Sequence, residues 1–102
     1  MILVTREDER TVVKPSGDSI VAATLPELRA QLRDIVAGGA RDVVIDLDGV
    51  CMVDSSGIGL LISAYNSLRK LGGRFAVIRA SAEILELFQS MRMHQHFSVS
   101  GN

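Results

Sequence analysis

The segment DVVIDL, residues 42–47, is an almost continuous aliphatic run, and it constrains the fold more than any other part of the chain. Such runs are typical of strands that are covered on both faces, as at the centre of a parallel sheet. A second apolar run, RFAVIRA at residues 74–80, follows later in the chain. Because parallel strands need a long crossover connection, a helix is expected between the two runs.

Apolar residues at helical spacing form three stripes, and each stripe would cover one face of a helix. Their members are Leu25, Leu28, Leu32, Ile35 and Val36 in the first, Leu61, Ala64, Tyr65, Leu68 and Leu71 in the second, and Ile84, Leu85, Phe88 and Met91 in the third. The second helix is expected to begin at Gly57. Thr24 and Glu27 have the spacing of a capping box at the start of the first helix, and Ser81 is expected to cap the third.

Short β-branched segments at residues 2–5 (ILVT) and 10–14 (RTVVK) predict an N-terminal hairpin, and HFSV at residues 96–99 predicts a last strand. The resulting order is β-β-α-β-α-β-α-β. Strands that alternate with helices predict an α/β domain with right-handed crossovers. The length suits a single domain over residues 1–102.

Composition limits the functions open to such a domain. Eleven basic and twelve acidic residues give a formal charge of -1, so the basic excess typical of nucleic-acid binding is missing. No apolar run approaches the ~20 residues of a membrane span, and charges that begin at Arg6 predict no signal peptide, so a cytoplasmic protein is expected. Two histidines and one cysteine lack the spacing of a zinc site, and no cofactor is expected. Cys51 lies between apolar residues, which predicts a buried, inert thiol.

The stretch VDSSGIGLL, residues 53–61, places two serines where a strand gives way to a helix. It is compatible with a helix cap, a catalytic nucleophile or a phosphoacceptor. Asp54 or one serine would cap the helix, which still leaves a hydroxyl unused. A nucleophile is disfavoured because the flanking residues do not form a hydrolase elbow. His94 and His96 follow the last helix, so they should lie toward the edge of the sheet opposite Ser55.

A phosphate on Ser55 would turn the same junction into a switch for protein binding. It would add roughly -1.5 to -2 charges beside Asp54, and the helix N-terminus would offset part of the repulsion. The fold would survive, while a docked partner would meet new charge and bulk. Gly57 and Gly59 would allow close approach of another backbone.

The residues from VVIDL through DSSG to GGRFAVI resemble the central signature of STAS domains, the anti-sigma-factor antagonist family. The shared features are an aliphatic strand ending in Asp-Leu, the Asp-Ser-Ser-Gly motif, a helix, a Gly-Gly pair and another strand. Downstream, ILELFQSMRMHQHFSV resembles the closing helix and last strand of the family. The resemblance implies a four- or five-stranded mixed sheet with helices packed on it, and it implies no catalysis.

The resemblance also implies a partner. Antagonists of this type bind an anti-sigma factor that is also a serine kinase, and the kinase phosphorylates the first serine after the aspartate, which separates the pair. A serine phosphatase resets the switch. In this chain the phosphoacceptor would be Ser55. The implied partner-binding residues are Asp18, Ser19, Asp54, Ser56, Gly57 and Ile58.

One short segment departs from the family pattern. Where the family has Gly-Glu/Asp-Leu-Asp, this chain has GDSI at residues 17–20, without a second acid. That acid helps to contact the kinase in the family. Its absence favours an alternative, in which the chain is a constitutive scaffold or adaptor in a signalling or stressosome-like assembly without phosphorylation.

Overall fold

The structure, a computed structural model, describes residues 2–101. Its strands are β1 (Leu3–Glu7), β2 (Arg10–Lys14), β3 (Ser19–Ile20), β4 (Asp42–Asp46), β5 (Met52–Val53), β6 (Arg74–Ala80) and β7 (Ser98–Gly101). Its helices are α1 (Leu25–Ala37), α2 (Ser55–Lys70) and α3 (Ala82–Ser90), and a short 3-10 helix (Met93–Gln95) precedes β7. None of these helices is both long and apolar enough to cross a membrane.

Within the described residues, five strands form one mixed sheet in the order β1-β2-β4-β6-β7. The first pair is antiparallel, as expected for a hairpin, and the other three pairs are parallel. The two aliphatic runs are neighbours in this sheet, with Val43 opposite Phe75. The predicted α/β fold with a mixed sheet is therefore confirmed.

All three helices pack on one face of the sheet. Each parallel connection moves one strand further in the same direction, so right-handed crossovers place every helix on the same side. The strand residues that join helix side chains in the core cluster are Val13, Val43, Ile45, Phe75 and Val77. Val44 points to the other face, yet it is only 1% exposed because it lies between Val12 and Ala76 of the neighbouring strands.

A second, two-stranded pair was not predicted from the sequence. Strands β3 and β5 are parallel, with Ser19 opposite Met52, and the Cys51 amide donates to the Asp18 carbonyl at 2.7 Å. Strands of two residues are too short to show alternation of polar and apolar side chains. The pair matters because it holds the loop before α1 beside the start of α2.

Three side chains that were expected inside the protein lie at its surface. Cys51 is exposed, so the predicted buried thiol is wrong. Leu71 and Met91 are 49% and 48% exposed, which corrects their assignment to the apolar stripes. Both residues are C-caps that follow the last helical residue, and helical spacing no longer decides which way a side chain points beyond a helix end.

The two helix caps predicted at Thr24 and Ser81 have different outcomes. The capping box is wrong, because the backbone of Thr24 is already in the helical region and its hydroxyl donates to the Val21 carbonyl at 3.0 Å. A side chain can cap the next turn only from an extended backbone. Ser81 has that geometry, and its hydroxyl accepts from the Ile84 amide at 3.2 Å, so this cap is confirmed.

Candidate functional site

Helix α2 begins at Ser55, two residues earlier than its apolar spacing predicted. Asp54 precedes it with an extended backbone, and its Oδ1 accepts from the Gly57 amide at 2.9 Å. Asp54 is therefore the N-cap, which decides between the three residues, Asp54, Ser55 and Ser56, that the sequence left open for this role. The earlier start was missed because Ser55 and Ser56 are polar first-turn residues that lie outside the apolar stripe.

Asp54 also holds the loop that leads into α1. Its Oδ2 accepts from the Ala22 amide at 3.3 Å, and its own amide donates to the Ile20 carbonyl at 3.1 Å. One carboxylate thus joins two segments that are far apart in sequence. Nothing in the sequence indicated this second role, because local spacing patterns carry no information about contacts between distant segments.

Replacing Asp54 should show that its two acceptor bonds matter to stability. Asp54→Ala is expected to lower the free energy of unfolding by about 2 kcal/mol, the upper part of the range for N-caps, because it leaves two amides without an acceptor. Asp54→Asn keeps an acceptor oxygen and should lose less. Ser81→Ala, which removes a cap with one bond, should cost about 1 kcal/mol. Urea denaturation measures all three, and equal losses for Asp54→Ala and Ser81→Ala would contradict the dual role.

Because Asp54 fills the cap position, the two serine hydroxyls are left available. Ser55 and Ser56 are both exposed, and neither side chain hydrogen-bonds to any group in the described part of the chain. Ser56 lines a shallow cleft between α1 and α2, together with Arg29 and Leu60. Ser55 lies outside that cleft, where a large partner can approach it.

The β3–β5 pair brings further predicted site residues to the same place. Asp18 is exposed, and Ser19 is half-buried opposite Met52. Met52 is itself 57% exposed, although sequence reasoning did not single it out. We call the surface formed by these residues and the start of α2 the docking surface. Its members are Asp18, Ser19, Met52, Asp54, Ser55 and Ser56.

Gly57 and Ile58 lie beneath the docking surface rather than on it, since both are buried. A Cβ atom at Gly57 would lie 2.7 Å from the Ile20 carbonyl oxygen and 2.9 Å from Val53 Cγ1. The close backbone approach expected at Gly57 is therefore present. At Gly59 it is absent, because a Cβ there would meet nothing within 4 Å.

His96 is remote from the two serines. The ring of His96 lies 6.1 Å from the ring of Tyr65, measured between centroids. Tyr65 is ten residues after Ser55 on α2, which corresponds to about 15 Å along the helix axis. His96 thus lies toward the opposite edge of the sheet, as predicted, and cannot act as a general base for Ser55 in this arrangement.

Comparisons with known proteins agree on the family. The family model described as STAS domain matches residues 1–102. The anti-sigma-B factor antagonist of Staphylococcus aureus (strain NCTC 8325 / PS 47) is 31% identical over 88 residues, which cover 86% of this chain and 81% of that protein.

Solved structures show the same architecture. An anti-sigma factor antagonist from Mycobacterium paratuberculosis matches with a TM-score of 0.87 and 25% identity, over 100% of this chain and 86% of that one. The Bacillus cell fate determinant SpoIIAA in its phosphorylated form matches with a TM-score of 0.77 and 17% identity, over 100% of this chain and 92% of that one. The sheet order, the capped serine motif and these matches lead to one conclusion: the chain belongs to the STAS domain family.

Proposed function

We propose that this chain is a cytoplasmic, non-catalytic antagonist of an anti-sigma factor, and that phosphorylation of Ser55 by the bound partner ends the interaction. The observation that carries the proposal is the free, exposed hydroxyl of Ser55 beside an aspartate that already caps the helix. The class of partner is suggested by a relative, because the similar protein from Staphylococcus aureus is an anti-sigma-B factor antagonist.

The start of α2 can accept a phosphate without losing its fold. The amides of Ser55 and Ser56 have no acceptor within residues 2–101, and free amides at a helix N-terminus favour a bound anion. The Asp54 carboxylate is already bonded to two other amides, so the phosphate need not compete with the cap. Among the structural relatives, SpoIIAA has a phosphorylated form with the same fold.

Release would follow from the change in charge and size at the docking surface. A phosphoserine carries roughly -1.5 to -2 charges, and Asp18 and Asp54 already make this surface acidic. A partner that packs against a neutral hydroxyl would have to bury that dianion, which costs several kcal/mol when the charge stays unpaired. The buried Gly57 and Ile58 would act by holding the helix start in place, while the exposed residues contact the partner.

A constitutive scaffold is the second candidate function. At the position where the family pattern has its second acid, this chain has Ile20, which is 2% exposed and packs under Gly57. A kinase that contacts that acid in other members of the family would find no carboxylate here. A scaffold would use the same docking surface, would bind in the presence of ATP, and would form stable large assemblies in light scattering.

Release from a kinase partner distinguishes the two functions. Anti-sigma factors encoded in the same genome are purified, and each is tested for a complex with this chain before and after ATP is added. We expect one of them to bind, and ATP to release both the wild-type chain and Ser56→Ala. The variant Ser55→Ala should bind and stay bound. Release of Ser55→Ala by ATP would overturn the acceptor assignment, and a complex that ATP never dissociates would support the scaffold.

A further inference from the structure

A shallow cavity of about 530 Å³ lies at the edge of the sheet opposite the docking surface. It is formed where the parallel strands begin, whereas the docking surface lies beyond their carboxyl ends. The polar side chains that line it are Arg10, Asp42, Tyr65, Arg69, Arg74, His96 and Ser98. A volume of this size is within the range of clefts that bind small molecules, roughly 300–1,000 Å³.

The charges around this cavity are unbalanced. Arg10, Arg69 and Arg74 come from three different elements, and within residues 2–101 none of them forms an ion pair. Asp42 is the one acid in the lining, and in the sheet it lies between Arg10 and Arg74. The acidic turn at residues 7–9 lies beside Arg10 in a neighbouring cavity. Three arginines against one aspartate give the lining a net charge of +2, and of these arginines Arg69 and Arg74 do not line the acidic cavity.

We propose that this cavity binds the phosphate group of a small phosphorylated molecule. A guanidinium group presents a planar fork of N–H donors that fits phosphate oxygens in a bidentate manner. An anion between Arg69 and Arg74 would also relieve the repulsion between the two like charges. The rings of Tyr65 and His96, whose centroids are 6.1 Å apart, form an aromatic surface against which the rest of the ligand can pack.

This site is independent of the switch proposed for Ser55. Arg69 lies fourteen residues after Ser55 on the same helix, a distance of about 21 Å along the axis. No residue is shared between the cavity and the docking surface. A failure of one proposal would therefore leave the other standing.

The test is an amide-detected NMR titration of the full chain at constant ionic strength, with pyrophosphate, adenosine 5′-monophosphate and adenosine as probes. We expect saturable shifts that are largest in residues 65–76 and 96–98, with smaller ones at the lining residues Arg10 and Asp42, from both phosphorylated probes and not from adenosine. If pyrophosphate binds more strongly than adenosine 5′-monophosphate, the ligand is a free inorganic phosphate. If the nucleotide binds more strongly, the ligand is a phosphate ester that carries an aromatic group.

Substitutions separate a built site from general attraction of anions. The double variant R69A/R74A should bind the phosphorylated probes at least about tenfold more weakly than the wild type, because the loss of a charge-assisted hydrogen bond is enough for such a change. The matched control R29A/R33A removes an exposed arginine pair from α1 and should bind as the wild type does. R69K/R74K keeps both positive charges and the aliphatic parts of the side chains but loses the bidentate guanidinium donors, so it should also bind more weakly than the wild type. It replaces R69A/R74A in the test if that variant does not fold.

Three results would overturn the proposal. The first is an absence of saturable shifts up to ~10 mM probe, a concentration at which only very weak binding escapes detection. The second is a pattern of shifts that includes residues 29–33 as strongly as the cavity. The third is an equal loss of affinity in R29A/R33A and R69A/R74A.

Discussion

The substitution Gly57→Ala is expected to lower the free energy of unfolding by about 2–3 kcal/mol, the upper part of the range for overpacking a core. The added Cβ would lie 2.7 Å from the Ile20 carbonyl oxygen, and a backbone atom cannot turn away as the end of a flexible side chain can. The same oxygen accepts from the Asp54 amide at 3.1 Å. Moving Ile20 to make room would therefore loosen the attachment of the cap to the neighbouring loop.

Gly59→Ala is the matched control, because it makes the same chemical change two residues further along α2. A Cβ at Gly59 would meet nothing within 4 Å, and alanine favours a helix interior over glycine by up to about 1 kcal/mol. This variant should be as stable as the wild type or more so. Urea denaturation of both variants gives the comparison. Changes of the same sign would contradict the close contact between α2 and Ile20.

Ser55→Asp is expected to weaken binding of the anti-sigma factor identified by the release experiment by about 100-fold. This corresponds to roughly 3 kcal/mol, the penalty for a charge that an interface leaves unpaired. Stability should change by no more than about 0.5 kcal/mol, because Ser55 is exposed and an acid in the first turn of a helix is favourable. Titration calorimetry measures the affinity.

Ser67→Asp serves as the control for Ser55→Asp. Ser67 is exposed on the same helix, twelve residues beyond Ser55 and outside the docking surface. Its affinity for the partner should equal that of the wild type, and Ser55→Ala should also bind normally. An equal loss in the two aspartate variants would mean that net charge, rather than the docking surface, decides the interaction.

Periodicity alone predicted most of the fold, because the sheet and helices follow the spacing of apolar residues. The apolar runs at residues 42–47 and 74–80 form neighbouring strands of the sheet, and each of the three apolar stripes lies on one of the three α-helices. Errors occurred where periodicity stops applying. Leu71 and Met91 lie just past helix ends, and Cys51 lies in an irregular connection before a two-residue strand.

The candidate site was predictable only in part. An acid followed by two serines at a strand-to-helix junction indicates a cap, and Asp54 is that cap. The bond from the Ala22 amide to Asp54, and the exposure of Met52 beside Ser19, depend on how β3 meets β5. Those contacts join segments about thirty residues apart, so no local pattern could reveal them.

The most direct test of the central claim is the intact mass of this chain purified from its own cells, with fragmentation to locate any phosphate. The proposed switch predicts a population that carries one phosphate, placed on Ser55, and a share of that population that changes with growth and stress. A phosphate on Ser56 or elsewhere would contradict the assignment of Ser55 as the phosphoacceptor, and no phosphate under any condition would contradict the switch and favour a constitutive scaffold.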